Sequence, residues 1–293
     1  LKRCTSASRL TTAQDSGRWR WLVSHCKVLT PEPMLQVHTC FRSETGGRSR
    51  NEDACGYWQS GPAACWVLSD GAGGHGSGDL AARLVVQTAL QAFQEQPEAS
   101  GPQALALLQQ AQQAVRREKT SGATRDDMHA TAALLLLDRE RGQGVFAHVG
   151  DSRLYQFRQG RILRQTRDHS LVQQLVDAGY WDAAQIRSHP QRNLLTSAIG
   201  AADPLEISVS PQAFEVLAGD VFLLCSDGWW EWVNEAGMES TLACQPSRQP
   251  VGRDWLDAMA TRILQAASDR HDNYSALCVA CSDDRTLLAL QTD

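Results

Sequence analysis

The sequence predicts an α+β fold, layered rather than doubly wound. Three observations carry that expectation. Strand-like runs follow one another in hairpin order, helical stretches come in pairs between groups of strands, and no G-x-G-x-x-G opens a helix after a strand. No solenoid-length repeat or low-complexity linker interrupts the chain. Residues 34–293 are therefore expected to form one domain.

The elements can be taken in order. Residues 1–33 mix Arg, Ser, Thr and Trp with no period of 2 or 3.6, and are expected to be a disordered extension ahead of Met34. They contain no apolar h-region, so they do not read as a secretory signal. Leu35–Phe41 alternates as a strand, and the charged turn Gly46–Asp53 leads into a second strand at Ala54–Trp58. Ala63–Leu68 is a buried strand that ends in Ser69-Asp70-Gly71 and a glycine-rich turn. Gly78–Gln96 carries apolar residues at helical spacing (Leu80, Leu84, Val85, Ala89, Leu90, Phe93), and a second helix covers Ala104–Glu118. Thr131–Leu137 and Gly144–Val149 are apolar runs buried on both faces, the latter ending in Gly150-Asp151-Ser152-Arg153. A hairpin at Leu154–Arg164 and a short helix at Asp168–Ala178, closed by Gly179, precede an irregular flap from Tyr180 to Gly200. Short strands at Leu205–Val209 and Phe214–Leu217 lead to Val221–Cys225, which delivers a second Ser-Asp-Gly at Ser226-Asp227-Gly228. A helix at Val251–Ala267, a strand at Tyr274–Ala280 and a closing strand at Leu287–Leu290 complete the pattern.

Composition narrows the function classes. Hydrophobic content of 42% and charged content of 21% suit a globular domain with a core. The net charge of -5 argues against a nucleic-acid binder held by phosphate neutralisation. No apolar run approaches the about 18 residues needed to span a bilayer. The 9 cysteines are odd in number and scattered, which does not suit a disulfide framework. Cys278-Val-Ala-Cys281 lies in an apolar run with no second pair nearby, and reads as buried strand, not a zinc or redox site.

Acidic residues recur at strand ends and turns: Glu52 with Asp53, Asp70, Asp151, Asp227 and Asp272. Converging carboxylates repel one another and take up protons unless cations compensate. Oxygen-only donors suit Mg2+ or Mn2+, and a pair of such ions lowers the pKa of water. Arg48 would add a permanently charged fork for phosphate oxygens. Hydrolysis of a phosphate monoester needs these parts and no serine or cysteine nucleophile.

Arg48-x-x-Asn51-Glu52-Asp53, Ser69-Asp70-Gly71-x-Gly73-Gly74, Val149-Gly150-Asp151-Ser152-Arg153, Ser226-Asp227-Gly228 and Asp272-Asn273-x-Ser275 occur in that order. Together they resemble the metal-dependent type 2C protein serine/threonine phosphatases, the PPM family, in a bacterial form, over about residues 36–282. The resemblance implies a four-layer α-β-β-α sandwich with two central antiparallel sheets and the metal site at one end. It implies that Asp70 bridges two Mn2+ or Mg2+ ions, that the Gly71 carbonyl binds one, and that Asp227 and Asp272 hold the other. Glu52 completes the site directly or through water, Asp53 orders a metal-bound water, and Asp151 with Asp227 matches a weaker third metal site. Arg48 contacts the substrate phosphate, and attack comes from a hydroxide bridging the metals. Asp70 and Asp227 are thus counted with Arg48 as catalytic.

Two positions depart from the family pattern. Ala72 stands where eukaryotic members often carry a histidine that serves as general acid, so the leaving oxygen must take its proton from a metal-bound water or another group; His75 reads as a turn histidine. Ala130-Thr131-Ala132 replaces a common Gly-Thr-Thr. His148 is expected in the core or at a sheet edge, and His169 and His189 in solvent-facing loops bordering the flap. Trp229, Trp230 and Trp232 are expected as core packing and a local partner surface. The implied partners are phosphorylated proteins and an opposing Hanks-type Ser/Thr kinase, with type VI secretion control as one setting, and the chain is expected to act as a cytoplasmic monomer. Two competing classes are a catalytically inactive phosphatase-like binding module and a two-metal phosphodiesterase. Against the first, no implied ligand is lost; against the second, there is no basic stripe.

Overall fold

The layering follows from strands that are apolar on both faces. The structure, a computed structural model, describes residues 34–73, 77–121, 127–201, 204–245 and 251–283. The expectations for residues 1–33, for Gly74 and His75, and for a strand at 287–290 lie outside the described residues.

Among the described residues, strands β1 (Gln36–Glu44), β12 (Tyr274–Ser282), β11 (Val221–Cys225), β7 (Arg153–Arg158) and β8 (Arg161–Gln165) form a five-stranded sheet in that spatial order. A seven-stranded sheet runs β10 (Phe214–Glu215), β6 (Gln143–Val149), β5 (Ala132–Asp138), β3 (Ala63–Ala72) and β2 (Asp53–Ser60), with β4 (His129–Ala130) pairing β3 and β9 (Ser208–Val209) pairing β6. The neighbouring strands are antiparallel throughout.

Alternate residues of β3 and β5 serve two different cores. Ala64, Trp66 and Leu68, with Ala133, Leu135 and Leu137, meet Leu154, Phe222, Leu224, Leu277 and Val279 of the other sheet. Cys65, Val67, Leu134 and Leu136 point the opposite way, onto the apolar faces of α1 (Ser77–Glu95) and α2 (Gly101–Ser121). On the far side, α6 (Arg253–Ala266) and α5 (Glu235–Ala243) pack Trp255, Leu256, Met259, Met238 and Leu242 on Tyr155, Phe157 and Leu223. Three cores between four layers give the α-β-β-α sandwich. Among the described residues no helix is long and apolar enough to cross a membrane.

Local differences from expectation have local causes. Apolar patterning stops at Leu68 and predicts a turn at Asp70, but the strand runs on to Ala72 because Ala130 and His129 of β4 pair with Gly71 and Ala72. The helix predicted from Asp168 is α3 (Leu171–Asp177), because the Ser170 hydroxyl accepts the Gln173 N–H and caps it there. Inside the flap, Ala183–Ser188 is a 3-10 turn capped by Asp182. Helix α5 carries weak periodicity in its sequence and went unpredicted; Asn234 caps it by accepting from Gly237 N–H at 2.8 Å.

Candidate active site

Strand register gathers the acidic residues. Asp53 is the direct cross-strand partner of Asp70, so two carboxylates of like charge share one face of the β2–β3 ladder. Asp227 begins the short helix α4 (Asp227–Trp230) where β11 ends, and Asp272 precedes β12, the neighbour of β11. Asp151 follows β6 at a turn that Gly150 makes with φ 88°, a conformation open to glycine. Two sheets thus bring Glu52, Asp70, Asp151, Asp227 and Asp272 to the wall of one cavity of about 290 Å3, together with Arg48, Gly71 and Thr131. Asp53 does not line that cavity. It lies behind Asp70, where Ser226 Oγ donates to its Oδ2 at 2.9 Å.

Polar side chains lock the backbone around these acids. Thr131 Oγ1 accepts from Asp70 N–H at 3.0 Å and exchanges a hydrogen bond with Ser152 Oγ at 2.6 Å, joining the Asp70 and Asp151 corners. The Asn273 side chain accepts from Glu52 N–H at 2.8 Å and donates to the carbonyls of Thr45 and Arg50 at 2.7 and 2.8 Å. Two close backbone crossings need glycine: a Cβ on Gly71 would collide with the Gly78 carbonyl, and one on Gly228 with the Asn273 carbonyl.

Asp151 is held by a buried network. Arg153 forms a bidentate pair with Asp168, Nε to Oδ1 at 2.8 Å and Nη2 to Oδ2 at 2.7 Å, and its guanidinium lies 3.7 Å over the Trp230 ring. Trp230 Nε1–H in turn donates to the Asp151 carbonyl at 2.8 Å. Asp272 is held differently. Its Oδ2 accepts from Arg48 at 2.7 Å, at the exposed rim.

Crowding shows in the protonation of the acids. Burial, then Asp53, push Asp70 well above the usual carboxylate range, and burial, then Asp227, do the same to Asp151. Burial followed by Asp272 raises Asp227 to about 7, and burial raises Asp53 to about 6. Glu52 is raised by burial and by Asp79. Asp227 Oδ1 and Asp53 Oδ1 are buried with no hydrogen-bond partner. An all-oxygen donor set with unpartnered, mutually repelling carboxylates fits hard divalent cations. Among the described residues no three acidic, imidazole or thiol groups already stand close enough to enclose one ion, and Asp272 is paired with Arg48 instead.

Several residues around the site escaped the motif reading. Thr131 reads in sequence as structural, yet it is the hydroxyl between two acidic corners. His129 lines the cavity without any sequence signal, and Asn193, which closes the His189-Pro190-x-Arg192-Asn193 run of the flap, lines it too. His169, expected toward solvent, is buried: its ring stacks on His148 at 4.6 Å, accepts the Gly150 N–H and hydrogen-bonds Ser208. Of the tryptophans, Trp229 and Trp230 are wholly core, not surface, because α4 turns both rings under the five-stranded sheet.

A two-sheet sandwich that brings five carboxylates and an arginine to one end is the class of a metal-dependent phosphatase. A family model for protein phosphatase 2C matches residues 42–267, and the chain belongs to that family. The serine/threonine phosphatase Stp of Listeria innocua serovar 6a is 32% identical over 212 residues, covering 70% of this chain and 83% of that protein. Among solved structures, PppA of Pseudomonas aeruginosa, described as a key regulatory component of T6SS, is 29% identical with a TM-score of 0.66, over 84% of this chain and 97% of that one. The catalytic domain of the serine/threonine phosphatase PstP, in complex with two manganese ions, shares the fold at 24% identity and a TM-score of 0.71, over 85% of this chain and 100% of that one.

Proposed function

We propose that this phosphatase hydrolyses phosphoserine and phosphothreonine in proteins, with residues 34–293 as its catalytic domain. The observation that carries the reading is the set of cavity-lining carboxylates from both sheets, several raised in pKa and partly unpartnered, beside the exposed guanidinium of Arg48. Asp70, the Gly71 carbonyl, Asp227 and Asp272 would hold two Mn2+ or Mg2+ ions, with Glu52 completing the site directly or through water, Asp53 ordering a metal-bound water from behind Asp70, and Asp151 with Asp227 offering a weaker third position. When bound, such ions acidify water and draw charge from the phosphate oxygens.

The chain's own residues do the rest. Arg48, more than half exposed and reaching inward to Asp272, is placed to exchange that carboxylate for a phosphate oxygen, which a guanidinium can grip with two N–H groups. Ser226 and Asn273 keep Asp53 and Glu52 in place, and the Thr131–Ser152 pair fixes the separation of the Asp70 and Asp151 corners. An opposing Ser/Thr kinase would supply the substrate, and the likeness to PppA supports secretion control as the setting. The protein should release phosphate from a phosphothreonine peptide with Mn2+ and lose that activity in chelator. Asp227→Asn should lower the rate by more than about 100-fold. Equal turnover with and without chelator would refute the metal reading.

A further inference from the structure

Breaking the P–O bond of a phosphoserine leaves the electron pair on an alkoxide, which needs a proton far more than an aryl oxide does. Few cavity-lining groups can give one. Arg48 is placed for the phosphate and pairs with Asp272, and Glu52, Asp70, Asp151, Asp227 and Asp272 are assigned to metal. The Thr131 hydroxyl is engaged with Asp70 N–H and Ser152. Among the described residues one titratable wall residue remains, His129.

His129 sits in β4 directly opposite Ala72 in β3, so the two side chains share a face of the ladder, and both line the cavity. Its Nδ1 lies 2.9 Å from the Asp127 carbonyl, to which an Nδ1–H donates, while Nε2 faces the Lys119 ammonium at 3.5 Å. Lys119, from α2, is anchored by donating to the Gly200 carbonyl at 2.9 Å. Among the described residues Lys119 and Asp127 are the charged groups beside the imidazole, and the acidic residues and Arg48 stand elsewhere on the cavity wall. Burial first, and Lys119 second, lower the pKa of His129, which makes its imidazolium a stronger acid than an exposed one.

We propose that His129 is the general acid of this enzyme, its Nε2–H protonating the serine or threonine oxygen as it leaves phosphorus. The P–O bond breaks, its electron pair stays on the leaving oxygen, and that pair takes the Nε2 proton. The imidazole is left neutral with its proton on Nδ1, beside the Asp127 carbonyl, and with Nε2 free to accept from Lys119, and a proton from solvent restores the acid. Ala72 leaves the space across the ladder open for the leaving group. The assignment rests on the phosphatase reading above.

The test compares leaving groups. His129→Gln should lower kcat/KM on a phosphothreonine peptide by about 100-fold, and on p-nitrophenyl phosphate, whose leaving oxide needs no acid, by less than about fivefold. Thermal unfolding checks that the variant is folded. The double variant Ala72→His/His129→Gln carries an imidazole across the ladder and should recover tenfold or more of the lost peptide rate. Wild-type kcat/KM should also depend only weakly on leaving-group basicity across a series of phosphate monoesters, a measurement that needs no variant. Equal loss on both substrates, no recovery with histidine at position 72, or a steep wild-type dependence overturns the assignment. Wild-type protein that hydrolyses no monoester in Mn2+ would instead overturn the phosphatase reading itself.

Discussion

Asp151 and Asp272 reach the same cavity from opposite sheets, but they are secured in opposite ways. Asp151 stands on a buried corner, with the Arg153–Asp168 pair and the Trp230 ring beneath it. Asp272 stands at the rim, held by the N–H of its neighbour Asn273 and by one arginine that is more than half exposed. The contrast separates a fixed wall from an adjustable one. A site that must admit a phosphoprotein and then release it needs both.

The largest break should come at the fixed corner. Arg153→Met leaves Asp168 buried and unpaired, and should cost about 3–5 kcal/mol in urea unfolding. A double variant that also replaces Asp168 with leucine should recover part of that loss, since the unpaired charge is gone. Acid should loosen the same corner next. Burial and the neighbouring His169 ring depress His148 to about 4, whereas an unfolded histidine titrates near its usual value. At pH 7 both states are neutral, so this residue makes no difference. As pH falls from about 6.5 to about 4 the unfolded chain takes up a proton that the fold refuses, and stability drops by about 3 kcal/mol. Wild type and His148→Gln should converge in stability, or cross, in unfolding curves taken between pH 7 and pH 4; parallel curves would show that the ring is not held neutral. The smallest effect should come at the rim. Arg48→Ala should change stability by less than about 1 kcal/mol while raising KM for a phosphopeptide, which separates binding from folding at that position.

How much of this was legible in the letters depends on the range of the interaction. The strands announce themselves because β3 and β5 are apolar on both faces, and the acids stand out because Asp70 and Asp227 each follow a buried run and precede glycine. Pairing partners leave no such mark. Nothing in Met128-His129-Ala130 says that β4 will extend β3 past Asp70, so the predicted turn there proved to be strand. The His148–His169 stack joins residues far apart in the chain, and its burial follows from the hydrogen bonds to Gly150 and Ser208, which no local pattern encodes. The cap at Asn234 was visible only as one more polar residue after three tryptophans.

At Gly71 and Gly228 main chain lies against main chain with no side chain between. Hydrogen takes the place of a methyl group there, and the width of the acidic end is set by that missing carbon. Grafts of segments from related scaffolds that retune this enzyme must respect that contact. They must carry both glycines along, because even alanine would push the start of α1 off the end of β3 at Gly71, or α4 off the lead into β12 at Gly228.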